Sequence, residues 1–192
     1  AAGCTVVIKP PKLTPFSALA LAALAEEAGI PKGVINIVAG SSASAIGNEL
    51  CNNSIVKKLS FTGSTPVGKI LLKQCADTVK KVSMELGGNA PFIVFEDADI
   101  DAAVEGAIIS KYRNAGQTCV CTNRIFVQES VYDLFIEKFT RAVKLQKIGN
   151  GLDEGVTIGP LVEEKAIQFV EGVVKDATSK GAKIVLGGKR FN

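Results

Sequence analysis

Short β-branched runs alternate with longer segments of mixed apolar and polar positions along this chain. "TVVIK" (5–9) predicts a short buried strand, stopped by Pro10 and Pro11. "TPFSALALAALAEEAG" (14–29) has its proline early, alanine and leucine throughout and Gly29 last, which predicts a helix with start and stop signals in place. "VINIVAG" predicts the next strand, "SASAIGNELCNN" a shorter helix, "VKKLSFTG" a strand and "TPVGKILLKQCADT" a helix. "KKVSMEL" and "APFIVF" are two further strands, separated by Gly87 and Gly88. Then come a helix from about Asp99 to Arg113, a loop with two cysteines, a strand "RIFVQ" and a helix "VYDLFIEKFTRAVKL". A turn-rich link "GNGLDEGVTIGP", a helix from about Val162 to Lys180 and a strand "AKIVLGG" complete the chain.

Alternating βαβα order predicts an α/β fold with a doubly wound parallel sheet. The two glycines mark the expected boundary between a first domain, 1–86, and a second, 87–192. No internal repeat or low-complexity segment interrupts this order. The first residues lack an initiator methionine and run straight into a strand, and the last follow closely on another, so both ends read as cuts through a larger protein.

Composition narrows the function classes. The 192 residues are 47% hydrophobic and 21% charged, which is globular, and 22 basic against 19 acidic residues are spread without a stripe. No nucleic-acid surface is expected from that distribution. Apolar runs are broken by acids well short of the ~18 residues of a membrane span. Cys4, Cys51, Cys75, Cys119 and Cys121 are odd in number and lack the paired spacing of a zinc site, so no metal is expected and a reducing compartment is the expected home.

Three stretches carry candidate chemistry. In "SFTGSTPVGK" a strand runs into Gly63 and Ser64 and a helix begins near Pro66, whose free N–H groups and positive end suit a diphosphate. In "MELGGN", Glu85 stands at a strand end between Met84 and Leu86, just before the two glycines. In "RNAGQTCVCTN", Cys119 follows a polar, glycine-containing segment whose backbone N–H groups can face a developing oxyanion. The chain contains no histidine, so a cysteine nucleophile here cannot rely on imidazole. Cys4, Cys51 and Cys75 fall in strand or helix patterns and read as small buried hydrophobes. A C-x-C pair is also compatible with a thiol redox module without any other chemistry.

"FTGST", "MELGGNAPFIV" and "GQTCV", in this order and separation, resemble the aldehyde dehydrogenase superfamily over essentially the whole chain. The resemblance implies the later part of a Rossmann-like cofactor domain joined to the first part of a catalytic domain. It implies Cys119 as nucleophile and Glu85 as the general base that activates water. Lys9 matches the lysine that binds the adenosine ribose, Gly47 lies where a helix approaches the cofactor, and Gly63 and Ser64 belong to the cofactor-binding turn. Family chains are more than twice as long; an oxyanion-hole asparagine and a ribose-gripping glutamate fall outside these residues, so the segment alone is expected to be inactive.

"TPFSALALAALAEEAGIPKGVINIV" and "SKYRNAGQTCVCTN" are most similar to the succinate-semialdehyde dehydrogenase group. Arg113 then matches the arginine that takes the substrate's distal carboxylate, for which a guanidinium fork is suited. A glutarate semialdehyde offers the same carboxylate one methylene further away. Cys121 matches a second cysteine that forms a redox-regulatory disulfide with the nucleophile in some members. Lys12 stands where NAD-preferring relatives carry an acid, which favours NADP over NAD because a cation accepts a ribose 2'-phosphate. A small-molecule aldehyde partner and a homo-oligomeric parent enzyme are implied. The compartment is cytoplasmic, or the mitochondrial matrix if a leader precedes these residues.

Overall fold

A computed structural model describes residues 2–191. The chain divides between Gly87 and Gly88 into two compact units. In the first, strand β1 (Val6–Ile8) leads through helix α1 (Phe16–Glu27) to strand β2 (Ile35–Ile37), which pairs with β1 in parallel from Val6↔Ile35 to Ile8↔Ile37. Pro15 stands at the N-cap of α1, and Gly29, with φ 86°, ends the helical run. The Asn36 side-chain amide donates to the carbonyls of Gly33 (2.8 Å) and Val6 (3.2 Å), fixing the turn before β2 to the neighbouring strand. Apolar on nearly every face, α1 nonetheless buries none of its residues, and Phe16, Leu21 and Leu24 are exposed.

The chain continues through helix α2 (Ala43–Asn52), capped by the Ser42 hydroxyl accepting from Ala45 N, into strand β3 (Lys58–Thr62), helix α3 (Thr65–Ala76) and strand β4 (Lys81–Glu85). Strands β3 and β4 form a separate parallel ladder from Lys58↔Lys81 to Thr62↔Glu85. Cys51, Leu59, Leu71 and Cys75 form the buried centre, with Leu50, Phe61 and Met84 packed around it. Cys51 and Cys75 are thus core residues, as their place in the apolar pattern predicts, whereas Cys4, read the same way, precedes β1 and is exposed. Lys80 donates to the carbonyls of Asn53 and Val56, and the Thr78 hydroxyl to those of Cys75 and Cys51, closing the turn before β4.

In the second unit, strand β5 (Ala90–Val94) crosses through helix α4 (Ile100–Tyr112) to strand β6 (Thr122–Val127), parallel to β5. Asp99 caps α4 by accepting from Asp101 N and Ala102 N at 3.0 and 3.1 Å, worth about 1 kcal/mol. Helix α5 (Glu129–Lys144) packs Phe135 against Val94, Ile100, Val104 and Ala107, and Phe135 stacks on Phe139 with ring centroids 5.5 Å apart. Helix α6 (Glu164–Ser179) follows the turn-rich link, where Ile148 and Ile158 form an isolated bridge.

The strand expected over 182–188 does not form. A strand exists only with a ladder partner, and none of the described residues supplies one; Gly187 and Gly188 instead take φ of 71° and 72°. Ile184 and Val185 are exposed, and this segment is held back on α6 by Arg190, which pairs with Glu164 and Glu171 at 2.7 Å each. The Arg190 guanidinium beside it holds the Glu171 carboxyl below its usual range. No helix among the described residues is long and apolar enough to cross a membrane.

Candidate active site

Cys119 lies in the connection from α4 to β6, and that connection is strained. Arg113 leaves the helix with extended ψ (128°), and Asn114 (φ 53°, ψ 36°), Ala115 (φ 55°, ψ 30°) and Gly116 (φ 76°) follow as three successive left-handed residues. Left-handed backbone costs an L-residue roughly 1–2 kcal/mol, less for asparagine and nothing for glycine. Such a turn persists only where its surroundings over-determine it.

Side chains surround it accordingly. The amides of Asn114 and Gln117 are reciprocal: Asn114 Nδ2 donates to Gln117 O at 3.3 Å, and Gln117 Nε2 to Asn114 O at 3.1 Å. Gln117 Oε1 accepts from the backbone N–H of Val162 at 2.9 Å, tying the turn to the segment that enters α6. From the other side the Cys121 thiol donates to Gly116 O at 3.1 Å, and Lys111 Nζ reaches both Cys121 Sγ (3.8 Å) and Asn123 Oδ1 (3.2 Å). Burial pushes the neighbouring Tyr112 phenol up from its ordinary range.

Within this frame Cys119 is exposed and Cys121 is 2% exposed, both as free thiols. Cys121 Sγ is committed to Gly116 O, so a bond to Cys119 requires that contact to open. Among the described residues no protein acceptor takes the Cys119 backbone N–H, which leaves it free for an oxyanion. Cys119 lies beyond the C-terminal, negative end of α4, so any donors come from the irregular loop. A Cβ at Gly88 would sit 3.0 Å from Cys119 O, so only glycine lets the two backbones meet unstrained. The Thr118 hydroxyl oxygen is buried without a partner among the described residues. Arg113, at the start of the turn, is exposed.

The first unit carries the remaining residues singled out in the sequence, on two separate ladders. Glu85 closes β4 with its side chain exposed, while its carbonyl accepts from Gly63 N at 3.0 Å. Gly63 packs over the Phe61 ring, where a Cβ would come within 2.4 Å, and Ser64 N-caps α3 without using its side chain. The first-turn N–H groups of α3 are therefore open to an anion. Lys9, half-buried just after β1, donates to Pro10 O at 2.8 Å, and Lys12 is exposed. An open helix N-terminus and two ammonium groups match the phosphates and ribose of a nicotinamide dinucleotide in charge and donor type. Gly47 lies in α2, and the space beside it opens toward Leu71 of α3, where a Cβ would make an ordinary contact with Cδ2 at 3.5 Å. Among the described residues no cluster of acids and cysteines could hold a metal.

Lys111, Gln117 and Asn123 escaped the sequence reading. Asparagine and glycine flanking Ala115 signalled a left-handed turn, but nothing local signals the contact of Gln117 with Val162.

Comparison with known proteins agrees with these motifs. The sequence pattern described as "Aldehyde dehydrogenase family" matches residues 1–192. The succinate-semialdehyde dehydrogenase (NADP(+)) GabD of Escherichia coli is 65% identical over 189 residues, 98% of this chain and 39% of that protein. A glutarate-semialdehyde dehydrogenase of Pseudomonas aeruginosa is 64% identical over the same length, again 98% of this chain and 39% of its own. A crystal structure of an E. coli NADP-dependent enzyme superposes with a TM-score of 0.96 at 63% identity, covering 99% of this chain and 39% of that one. The chain thus spans about two fifths of the length of these relatives.

Proposed function

Because the chain belongs to the aldehyde dehydrogenase family, we propose that the whole protein oxidises succinate semialdehyde to succinate with NADP, or NAD, as cofactor. The observation that carries this reading is the single turn that bears an exposed guanidinium at Arg113 on one side and the exposed thiol of Cys119 on the other. In this reading the first unit holds the cofactor and the second carries the nucleophile.

A free thiol has a pKa of about 8.5, so a small thiolate fraction is present at neutral pH and suffices for a strong nucleophile. The Cys119 thiolate adds to the aldehyde carbon, and the carbonyl electron pair moves onto oxygen. The free Cys119 N–H holds that oxyanion. Arg113 takes the distal carboxylate and so orients the carbonyl. Lys9, Gly63 and Ser64 hold the dinucleotide, and Lys12 accepts a ribose 2'-phosphate, which favours NADP. When bound, the nicotinamide supplies the hydride acceptor. The acyl group left on Cys119 as a thioester is hydrolysed by a water whose proton Glu85 removes. A peroxide that takes two electrons from the Cys119 and Cys121 thiols, joining them as a disulfide while its O–O bond is reduced, would stop the cycle by consuming the nucleophile.

Glutarate semialdehyde is the competing substrate, since one methylene is worth only about 1–3 kcal/mol of discrimination; the Pseudomonas relative bears that name. The test uses the protein at its natural length and follows the near-ultraviolet absorbance of the reduced cofactor. Succinate semialdehyde, glutarate semialdehyde and a neutral aldehyde of similar length are compared, each with NAD and NADP. Faster oxidation of the carboxylated substrates, lost in Arg113→Leu through a rise in KM, supports the assignment. No reduction with any aldehyde and either cofactor sinks it.

A further inference from the structure

We propose that Gln117 is a positioning residue: its side-chain amide pins the left-handed turn Asn114–Gly116 to the segment entering α6 and thereby sets where Cys119 stands. The proposal rests on the nucleophilic role of Cys119 but on no particular substrate.

Three successive left-handed residues do not hold themselves, and the residues after them inherit whatever the turn does. Gln117 is the first residue beyond the turn; three of its groups engage the turn and a fourth reaches away from it. Its backbone N–H donates to Asn114 O at 3.1 Å, and its Nε2 donates to that same carbonyl. Its own carbonyl accepts from Asn114 Nδ2. Its Oε1 accepts from Val162 N, a residue far along the chain and outside the β5–α4–β6 crossover. That last contact gives the turn an external anchor. Without it, Asn114 and Gln117 still bond each other but nothing fixes the pair against the rest of the unit from that side.

On its other side Cys119 meets Gly88, where even a methyl group would press on the Cys119 carbonyl. The nucleophile therefore stands between a fixed backbone neighbour and a turn whose position depends on Gln117. A shift of that turn passes through only two residues, Gln117 and Thr118, before it reaches Cys119.

The test uses the natural-length enzyme under reducing conditions, with three readouts: kcat, KM for the aldehyde, and the second-order rate of Cys119 alkylation by iodoacetamide. Gln117→Ala removes both side-chain contacts; Gln117→Glu keeps the acceptor for Val162 N but gives up the donor to Asn114 O, and so tests the anchor by itself. We expect Gln117→Ala to lower kcat about tenfold and slow alkylation while KM stays within about twofold, the pattern of a misplaced reacting group. Gln117→Glu recovers the part of the loss that the Val162 anchor carries. Asn114→Asp, at an exposed position that tolerates left-handed backbone, loses only one donor and gives a smaller fall in both rates; it carries the test should Gln117→Ala fail to fold. Wild-type kcat and alkylation in Gln117→Ala, or equal impairment of the alanine and glutamate variants, overturns the proposal. If the unmodified enzyme oxidises no aldehyde, the alkylation rates still decide it, separately from the fate of the functional assignment.

Discussion

Gly87 and Gly88 are adjacent and chemically identical, yet the structure predicts opposite outcomes for adding one methyl group to each. At Gly88 the new Cβ would lie 3.0 Å from the carbonyl oxygen of Cys119, tighter than nearly all real contacts. Reaching an ordinary separation requires a displacement of roughly 0.4 Å, and the neighbour is backbone, which cannot rotate aside as a side chain does. Misplacement by ~1 Å costs a reaction about a hundredfold. Scaled to the smaller displacement, Gly88→Ala should lower kcat about 5- to 10-fold, with a loss of stability of about 1–3 kcal/mol from overpacking. At Gly87 the nearest atom is Thr65 Oγ1 at 3.7 Å, an ordinary contact, and φ is outside the left-handed range. Gly87→Ala should leave kcat unchanged and stabilise by about 0.4–1 kcal/mol by restricting the unfolded chain. Steady-state kinetics, Cys119 alkylation and urea denaturation of the two variants, side by side in the natural-length protein, measure the contrast. Equal behaviour of the pair, or damage confined to Gly87→Ala, would refute the reasoning.

Thr118→Val removes a buried hydroxyl that has no partner, so it should be neutral or stabilise by about 1–2 kcal/mol in a urea titration; a clear loss would mean that the hydroxyl is satisfied in the working enzyme. Val79 is 90% exposed with φ 49°, a left-handed conformation that a β-branched residue adopts at a cost, and Val79→Asn should raise the denaturation midpoint by the equivalent of about 1 kcal/mol. Burial pushes the Cys51 thiol from 9.0 up to about 11, with the adjoining Cys75 thiol adding to the rise. The folded chain therefore holds that proton after the unfolded chain has lost it, so the contribution to stability is full below pH 9.0 and is lost as pH rises towards 11. Denaturation midpoints taken across that interval should fall less steeply in Cys51→Ala than in the wild type.

What was legible in the sequence depended on how local its cause was. The helices α1 to α5 and strands β1 to β6 follow from β-branched runs, early prolines and terminal glycines, and the parallel pairing follows from their alternation. Ala182–Gly188 has the composition of a strand, but pairing is supplied by another segment, and composition cannot report whether that segment is there. Cys119, Glu85 and Arg113 stood out because their motifs are contiguous. Ala115 gave no hint of its left-handed backbone, since alanine ordinarily favours the right-handed helix that precedes it. Gln117 and Lys111 drew no notice because their partners, Val162 and Cys121 with Asn123, become neighbours only after folding.

Each parallel ladder closes over one helical connection: Val6 finds Ile35, Lys58 finds Lys81 and Ala90 finds Thr122. Closing a loop of that size costs little more entropy than closing a much shorter one. Assembly can therefore keep pace with synthesis, each ladder forming as its second strand leaves the ribosome. The loop that carries Cys119 belongs to the third of these closures. A nascent chain halted before Thr122 holds the thiol on an open tether; Thr122–Val127 close the loop that carries it, and only with Val162, thirty-five residues beyond that strand, does its turn gain the anchor that places it.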